Sequence, residues 1–445
     1  MIQTIRKAWG VPELRKKILF TLMILVIYRL GSAIPVPYVN VTLLSDYLEK
    51  MGTTILGLYN VMSGGAFAQA TVFALGIQPY INSSIIIQLL TVAIPALERM
   101  QREGGEEGKK KIQSITRYST VAIAFLQALG YYFILKRGLA GASMLTSETI
   151  WAALVIMVSW VAGSSFLMWL GEQCNEFGVG NGISMILFAG IISRVPSMVQ
   201  HLYQAVFSWN VVRTGGTLDA NATDPMNPFV VLFIVLGILA LIVLIVFVND
   251  AERRIPVQYA KRQVGRKMYG GQTSNLPMKV NMSGVLPIIF AQSIATIPAT
   301  IGAFLPAPEK DTFGYNVLNA IDNKSVLYLL VYFVLIIGFS YFYASIQFNP
   351  VEISNNLKRN GGFIPGFRPG RPTSDFISRV LNKITLFGAL YLGVVAILPL
   401  LVDKFTATSI GIGGTSVIIV VGVALETVKA LENQMLMRQY KGFLD

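Results

Sequence analysis

The sequence predicts an all-α polytopic membrane protein with ten transmembrane helices, arranged as two pseudo-symmetric, inverted five-helix halves. Three observations predict this fold class. The 445 residues are 53% hydrophobic and only 13% charged, whereas soluble domains carry about 25% charged residues. The chain contains ten apolar stretches near the length that a bilayer core requires, about 20 residues each. Its basic residues, finally, are concentrated in alternate connections between these stretches.

The ten apolar stretches are the predicted membrane spans. They lie at about 18–37, 72–95, 115–135, 150–170, 183–203, 227–248, 284–305, 326–347, 380–402 and 411–430. A division into residues 1–204 and 205–445 gives five spans to each half. Because five is odd, the halves lie in the membrane with opposite orientations, which is typical of an inverted repeat with a pathway between its halves. No residue-level repeat is visible, so the symmetry rests on topology.

The distribution of basic residues predicts the orientation. The two termini and the connections at 98–117, 249–283 and 349–379 together hold 26 Lys and Arg residues, and the opposite side holds seven. Cytoplasmic connections carry such an excess. We therefore expect both termini and these connections on the cytoplasmic side of the cell's inner membrane. The same bias is the first explanation for the net charge of +13.

One short stretch does not fit the pattern of spans. Residues 55–62 are apolar, but Ser63-Gly64-Gly65 then ends the run, and it is far shorter than a span. Irregular backbone at membrane depth is tolerated only inside protein or against a water-filled cavity. The sequence therefore predicts that this segment enters the membrane part-way and lies in a cavity, ahead of the second span.

Two cytoplasmic loops are longer than a connection requires. Residues 249–283 alternate apolar and basic residues, and residues 348–379 contain the Pro- and Gly-rich stretch NGGFIPGFRPGRP. Their positive charge alone is explained by the orientation of the membrane spans. As a pair of long loops on a rigid scaffold, however, they favour a docking surface for an acidic or RNA-rich partner.

The spans hold almost no charged side chains. Arg29, Arg194 and Glu426 lie towards the ends of spans, where a long side chain can reach the membrane surface. An ion-coupled carrier needs an ionisable group near the midplane. A secondary transporter for a small solute, which ten spans and an inverted repeat would suit, is therefore the less favoured alternative.

Residues suited to catalysis or metal binding are few. One cysteine, Cys174, excludes an internal disulfide and a cysteine-based metal cluster, and His201 is the one histidine. The sequence contains no phosphate-binding loop, metal-spaced cluster or catalytic triad. We therefore expect no catalytic residue, no metal and no cofactor. A membrane enzyme is the third alternative, and it would require paired carboxylates or a histidine near the membrane interface.

Aliphatic residues follow Gly or Pro breaks in spans of both halves. Ile77 and Ile81 flank Pro79 at helical spacing, Ile183 and Leu187 repeat that spacing after a Gly-rich turn, Ile289 follows Pro287, and Ile419 follows Gly413-Gly414. Such residues usually lie in a core or against lipid, but a ring of them can gate a pore by dewetting.

Polar residues form a second pattern, on the second span (Asn82, Ser83, Ser84, Gln88) and the seventh (Gln292, Ser293). Interhelical hydrogen bonds of this kind are weak, which suits a seam that opens.

Five motifs in order resemble the SecY family of protein-conducting channels. They are MSGGAFAQATVFALGIQPYINSSIIIQLL (62–90), FLMWLGEQCNEFGVGNGIS (166–184), KVNMSGVLPIIFAQSI (279–294), NLKRNGGFIPGFRPG (356–370) and GGTSVIIVV (413–421). The resemblance covers essentially the whole chain. It implies two inverted halves that open like a clamshell around a central hourglass pore. The implied function is to translocate unfolded secretory polypeptides across the cytoplasmic membrane and to release membrane-protein segments sideways into it, without being an enzyme.

The resemblance also implies roles for particular residues. The pore ring falls on Ile77, Ile81, Ile183, Leu187, Ile289 and Ile419, with leucine at 187 where many relatives have isoleucine. The plug is the segment 55–70, including Met62, Ser63, Gly64, Gly65, Ala66 and Phe67. The lateral gate includes Asn82, Gln88, Gln292 and Ile297. Arg254, Lys261, Arg266, Lys267 and Arg368 match the surface for the motor SecA and the ribosome. The other implied partners are SecE, SecG, signal peptides, nascent chains and the lipid bilayer.

Overall fold

The computed structural model describes residues 2–50, 60, 63–138, 143–213, 225–259, 262–264, 267–269, 273–282, 284–304, 325–406 and 414–441. The helices of this part are α1 (Ile2–Trp9), α2 (Pro12–Gly31), α3 (Val41–Lys50), α4 (Gln78–Ala93), α5 (Pro95–Arg102), α6 (Gly105–Arg137), α7 (Ile150–Phe177), α8 (Gly182–Ile192), α9 (Val195–Arg213), α10 (Pro228–Asp250), α11 (Leu286–Phe304), α12 (Val326–Gln347), α13 (Pro350–Arg359), α14 (Arg371–Thr406) and α15 (Gly414–Lys441). The strands are β1 (Glu252–Tyr259), β2 (Arg262–Val264), β3 (Lys267–Tyr269), β4 (Thr273–Lys279) and β5 (Gly362–Phe363).

A helix lies in every one of the ten predicted span ranges. Within the described residues, six helical segments are long and apolar enough to cross a membrane: α6, α7, α8 with α9, α10, α12 with α13, and α14. The bent pair α4 and α5 brings the number to seven. The chain is therefore a multi-pass membrane protein, and the full count of ten spans stays a prediction.

The second span begins later than the sequence predicted and ends in a sharp bend. Residues 63–77 form consecutive turns, and α4 begins only at Gln78, with Pro79 in its first turn, where a missing N–H costs nothing. At the other end Ile94 is extended, because Pro95 disfavours the helical conformation in the residue before it. Helix α5 consequently leaves at 104° to α4.

The first span also differs from its predicted bounds. Helix α2 begins at Pro12 and ends at Gly31, whereas the prediction was 18–37. Residues 32 and 33 form a turn, and Pro35 then pairs with Thr71 ahead of α4, where the Val36 N–H donates to the Ala70 carbonyl (2.9 Å). Two prolines in three residues prevent the helix from continuing.

The main apolar cluster joins the two predicted halves. It takes buried side chains from α2, α4, α7 and α8 on one side and from α10, α11, α12, α14 and α15 on the other. A second cluster packs α3, α6 and α7 around Phe67 and Trp160 within the first half. The boundary predicted at 204/205 lies inside α9 (Val195–Arg213), so the division into halves remains a proposal about topology.

The two long loops form one folded unit, which we call the sheet unit, with strands that the sequence alone did not predict. Strand β1 lies between β4 and β5 in an antiparallel sheet, and Gln258 pairs with Phe363 across the two loops. Ile255 and Val257 alternate inward along β1 and pack on residues of α13 and α14. The sheet therefore fastens the loop 249–283 to the loop 348–379.

Candidate functional site

The six residues of the predicted pore ring converge in the main apolar cluster. Five of them are buried, and Ile183 is partly buried against the same cluster. Ile77 and Ile183 meet over Gly171 of α7, where an added methyl group would lie 3.6 Å from one side chain and 3.3 Å from the other. The described structure thus gathers aliphatic side chains from both halves at one place.

The ring residues share a position in their helices. Ile77 immediately precedes α4, and the other five lie among the first six residues of α4, α8, α11 or α15. Asn181 starts α8 by accepting hydrogen bonds from the N–H groups of Ile183 (3.1 Å) and Ser184 (3.4 Å) through its side-chain oxygen. A helix cap of this kind fixes where the helix begins, and it therefore fixes the position of Ile183.

The described part of the predicted plug is a buried turn against α2 and α8. Met62 lies outside the described residues. The Tyr28 hydroxyl donates to the Ser63 carbonyl (3.1 Å), and the Ser193 hydroxyl donates to the Gly64 carbonyl (3.4 Å). Gly64 has φ +68, and an added Cβ would lie 2.8 Å from the Gly190 carbonyl oxygen. Only glycine suits both this conformation and this close approach.

The rest of the predicted plug segment belongs to the first half's own core. Ala66 and Phe67 are buried, and the Phe67 ring lies 4.8 Å from that of Tyr131. The Thr71 hydroxyl donates to the Ala66 carbonyl (3.2 Å), and the Trp160 indole donates to the Thr71 carbonyl (3.1 Å). These contacts anchor the segment on α6 and α7.

Two side-chain hydrogen bonds cross between α4 and the second half. Gln78 donates to the Ser293 hydroxyl of α11 (3.1 Å), and the Tyr343 hydroxyl of α12 donates to the side-chain oxygen of Gln88 (2.9 Å). We call this contact of α4 with α11 and α12 the gate seam. Sequence reasoning identified Gln88 and missed Gln78 and Tyr343. Gln78 lies one turn before Asn82 on the same polar stripe, so the spacing could have identified it.

The other predicted gate residues have different environments. Asn82 is half-buried, and its side-chain oxygen has no hydrogen-bond partner within the described residues. Gln292 is buried beside Ser293. Ile297, on the same helix, is 48% exposed. In the gate seam, Phe290 also packs its ring 5.3 Å from that of Tyr343.

The predicted partner-binding residues fall on the sheet unit. Arg254 is exposed on β1 and pairs with Glu252 at 2.7 Å. Arg368 is exposed in the turn before α14, where its carbonyl accepts a hydrogen bond from the Thr373 hydroxyl (2.8 Å). Lys267 lies in β3, whereas Lys261 and Arg266 lie outside the described residues.

The chain is similar to known proteins along its whole length. A model of the SecY family matches residues 71–428. Relatives named protein translocase subunit SecY include those of Streptomyces scabiei, 42% identical over 458 residues with all of both chains covered, and Aquifex aeolicus, 40% identical over 446 residues with the same coverage. That of Mycobacterium bovis is 42% identical over 451 residues and 97% of each chain.

Solved structures of protein-conducting channels share the fold. One described as a protein-conducting channel has a TM-score of 0.61 at 16% identity, with 95% of this chain and 92% of that chain covered. A second solved structure, described as concerning the plug domain of SecY, has a TM-score of 0.65 at the same identity and coverage. These structures confirm the predicted channel fold, and the family model and the named relatives confirm the prediction of a protein-conducting channel subunit rather than an enzyme. The chain belongs to the SecY family of protein translocase subunits.

Proposed function

We propose that this chain passes unfolded polypeptides through the pore ring and releases apolar segments into the membrane through the gate seam. The observation that carries this proposal is the convergence of the six ring residues, from both halves, in one apolar cluster. Apolar contact is non-directional, so such a ring can close around any side chain without holding one tightly. In the resting state the same side chains exclude water and ions by dewetting.

In this proposal the buried turn at Ser63-Gly64-Gly65 is the inner part of the plug. Its carbonyl groups accept hydrogen bonds from Tyr28 and Ser193, and each such bond contributes about 0.5–1.5 kcal/mol. That energy is small enough for an arriving polypeptide to displace the turn. The more firmly anchored residues from Ala66 onward hold the segment to the first half.

The sheet unit supports a docking role on the cytoplasmic side. Its exposed Arg254 and Arg368 suit the phosphates of ribosomal RNA or the acidic surface of a motor ATPase, because arginine binds both bidentately. A related channel of the same fold, Sec61, has been solved in a canine ribosome–channel complex (TM-score 0.58). We place the chain in the inner membrane with both termini cytoplasmic, SecA and ribosomes on the sheet unit, and SecE and SecG on its lipid-facing sides.

The ring is tested by comparing two isoleucines of α4. Ile81 is buried in the ring cluster, whereas Ile86 is 45% exposed and lies outside that cluster. We expect Ile81→Ser to raise the resting ion conductance of channels reconstituted in planar bilayers, because a hydroxyl group wets the constriction. Ile86→Ser should leave the conductance unchanged. Equal conductance of the two variants would refute the assignment of the ring.

The docking role is tested by two charge reversals, one in the loop before α14 and one in α14 itself. Arg368→Glu should weaken binding of ribosomes and of the motor ATPase by about tenfold or more, since it places like charge against an acidic partner. Arg379→Glu makes the same change at an exposed position within α14, and we expect a much smaller effect. Equal effects would indicate a general loss of positive charge rather than a docking site.

A further inference from the structure

We propose that Phe73 is a positioning residue for the resting seal of the channel. Its ring holds the ring of Tyr28, and the Tyr28 hydroxyl in turn holds the buried turn at Ser63-Gly64-Gly65. This inference rests on the plug proposed above. Phe73 lies in the segment 71–77, between the predicted plug and α4, and neither the predicted plug nor the predicted pore ring includes it.

Three aromatic rings from three elements form one stack. The rings of Tyr28 in α2 and of Phe73 lie 6.1 Å apart and are almost parallel, at 5°. The ring of Phe166 in α7 lies 6.2 Å from that of Phe73, at 16°. At such distances aromatic pairs attract each other beyond the effect of the area that they bury. Tyr28 and Phe73 are buried, whereas Phe166 is 41% exposed, so the stack runs from the protein interior to its surface.

Two glycines admit the segment that carries Phe73. At Gly31 of α2 an added Cβ would overlap the Phe73 ring, so the ring rests directly on the helix backbone. At Gly163 of α7 an added Cβ would overlap the Val72 carbonyl. The Val72 N–H also donates to the Ile34 carbonyl (3.0 Å). The position of Phe73 is therefore fixed by contacts other than the one with Tyr28.

Tyr28 needs such support, because its hydroxyl makes a bond that holds the turn. The Tyr28 hydroxyl donates to the Ser63 carbonyl (3.1 Å). The Ser32 hydroxyl donates to the Tyr28 carbonyl (2.8 Å), but that bond holds only the backbone. Because the phenol hydroxyl lies at the far end of a rotatable side chain, a small rotation of the ring carries it out of hydrogen-bonding geometry. The stack on Phe73 restricts that rotation.

A buried phenylalanine can also stabilise a protein through packing alone. Packing alone predicts that loss of the Phe73 ring loosens the seal by an amount that does not depend on the Tyr28 hydroxyl. A positioning role predicts that the effect of Phe73 on the seal vanishes once that hydroxyl is absent. The two roles therefore differ in whether the effects of the two side chains add.

A double-mutant cycle tests the role of Phe73. Phe73→Leu, Tyr28→Phe and the double variant are each assembled in the full channel complex, and the resting ion conductance is measured in planar bilayers. Tyr28→Phe keeps the ring and removes the donor, and we expect it to raise the conductance about threefold, which is the effect of one ordinary hydrogen bond. Phe73→Leu should raise the conductance by a similar factor. The double variant should also stay near threefold, whereas independent effects would multiply to about ninefold.

Two further variants separate positioning from loss of packing. Phe73→Met fills the site with a flexible side chain that has no flat face, and it should behave like Phe73→Leu. If the leucine variant does not assemble, the methionine variant takes its place in the cycle. Phe20→Leu removes another ring from the helix of Tyr28, where the partner of Phe20 is Phe177 at 5.9 Å. We expect it to leave the conductance unchanged.

The outcomes distinguish the positioning role from the plug itself. A conductance of about ninefold in the double variant would overturn the role of Phe73, since its effect would then not require the Tyr28 hydroxyl. A Phe20→Leu variant that conducts as much as Phe73→Leu would do the same. If Tyr28→Phe raises the conductance and Phe73→Leu does not, only the positioning role is wrong. If Tyr28→Phe conducts like the unmodified channel, the bond to Ser63 does not hold the seal, and the plug as proposed fails together with the role of Phe73.

Discussion

The strength of the gate seam can be tested by removing one hydroxyl group. Tyr343→Phe deletes the donor that reaches Gln88 at 2.9 Å and leaves the aromatic contact with Phe290 in place. We expect the closed state to lose stability relative to the open state. The channel should therefore admit precursors whose signal sequences bind it weakly.

The expected magnitude follows from the measured value of interhelical hydrogen bonds in membranes, about 0.6 kcal/mol each. Loss of one bond raises the ratio of open to closed channels by about threefold, since 1.4 kcal/mol corresponds to a factor of ten. Ser293→Ala removes the partner of Gln78 and has a similar expected effect. The two bonds lie ten residues apart on α4, so their effects should add to about eightfold.

The assay is the initial rate at which proteoliposomes translocate a precursor with a weakened signal sequence. A precursor with an intact signal should respond less, because its own binding already drives opening. Tyr341→Phe is the matched control, since the Tyr341 hydroxyl donates to the Asn382 carbonyl within the second half (3.3 Å). Two results would show that the gate seam does not set the barrier to opening. One is an equal translocation rate for Tyr343→Phe and Tyr341→Phe. The other is a rate for the double variant with Ser293→Ala that is no higher than that of either single variant.

Three further substitutions test packing by thermal unfolding of the purified protein in detergent. Gly180→Ala should destabilise the fold by about 1–2 kcal/mol, because φ is +74 at this position and a left-handed conformation is costly for a residue with a Cβ. Gly237 has open space around it, so Gly237→Ala is the control and should not destabilise the fold. Trp160→Phe should cost about 1–3 kcal/mol, because it leaves a buried carbonyl without its donor. Glu172→Gln breaks the 2.8 Å ion pair with Arg117, but that arginine is 47% exposed, so we expect a loss of about 1 kcal/mol or less. A larger loss for Glu172→Gln than for Trp160→Phe would contradict this ranking.

Positions beside Gly and Pro were the most predictable part of the candidate site. A proline or a glycine pair fixes where a helix can begin, and the ring residues lie at such beginnings. Pro79 marks the start of α4 beside Ile77 and Ile81, although the predicted span began at residue 72. The turn at Ser63-Gly64-Gly65 was predictable for the same reason, since Gly64 and Gly65 both have positive φ.

The sheet unit could not be predicted from local sequence. Strand β1 does alternate at Ile255 and Val257, but Pro256 between them argues against a central strand. Its partners are β4 and β5, and β5 lies about a hundred residues further along the chain. The pairing is determined by the packing of these loops on α13 and α14, which no short pattern contains.

The contacts of Tyr343 and α1 were missed because they depend on distant partners. An aromatic residue near the end of an apolar helix is typical of a membrane interface, and nothing local indicates that its hydroxyl reaches Gln88. Helix α1 reads as a short basic segment, and its buried Ala8 gains significance only against Leu431. In both cases the signal lies in a contact between the halves.

The polarity of the gate seam follows from its surroundings. Between helices surrounded by lipid there is no hydrophobic driving force for association, so the hydrogen bonds of Gln78 and Gln88 add to the apolar packing of the main cluster in favouring closure. Because each such bond contributes only about 0.6 kcal/mol, a seam held in this way opens at a small cost in free energy.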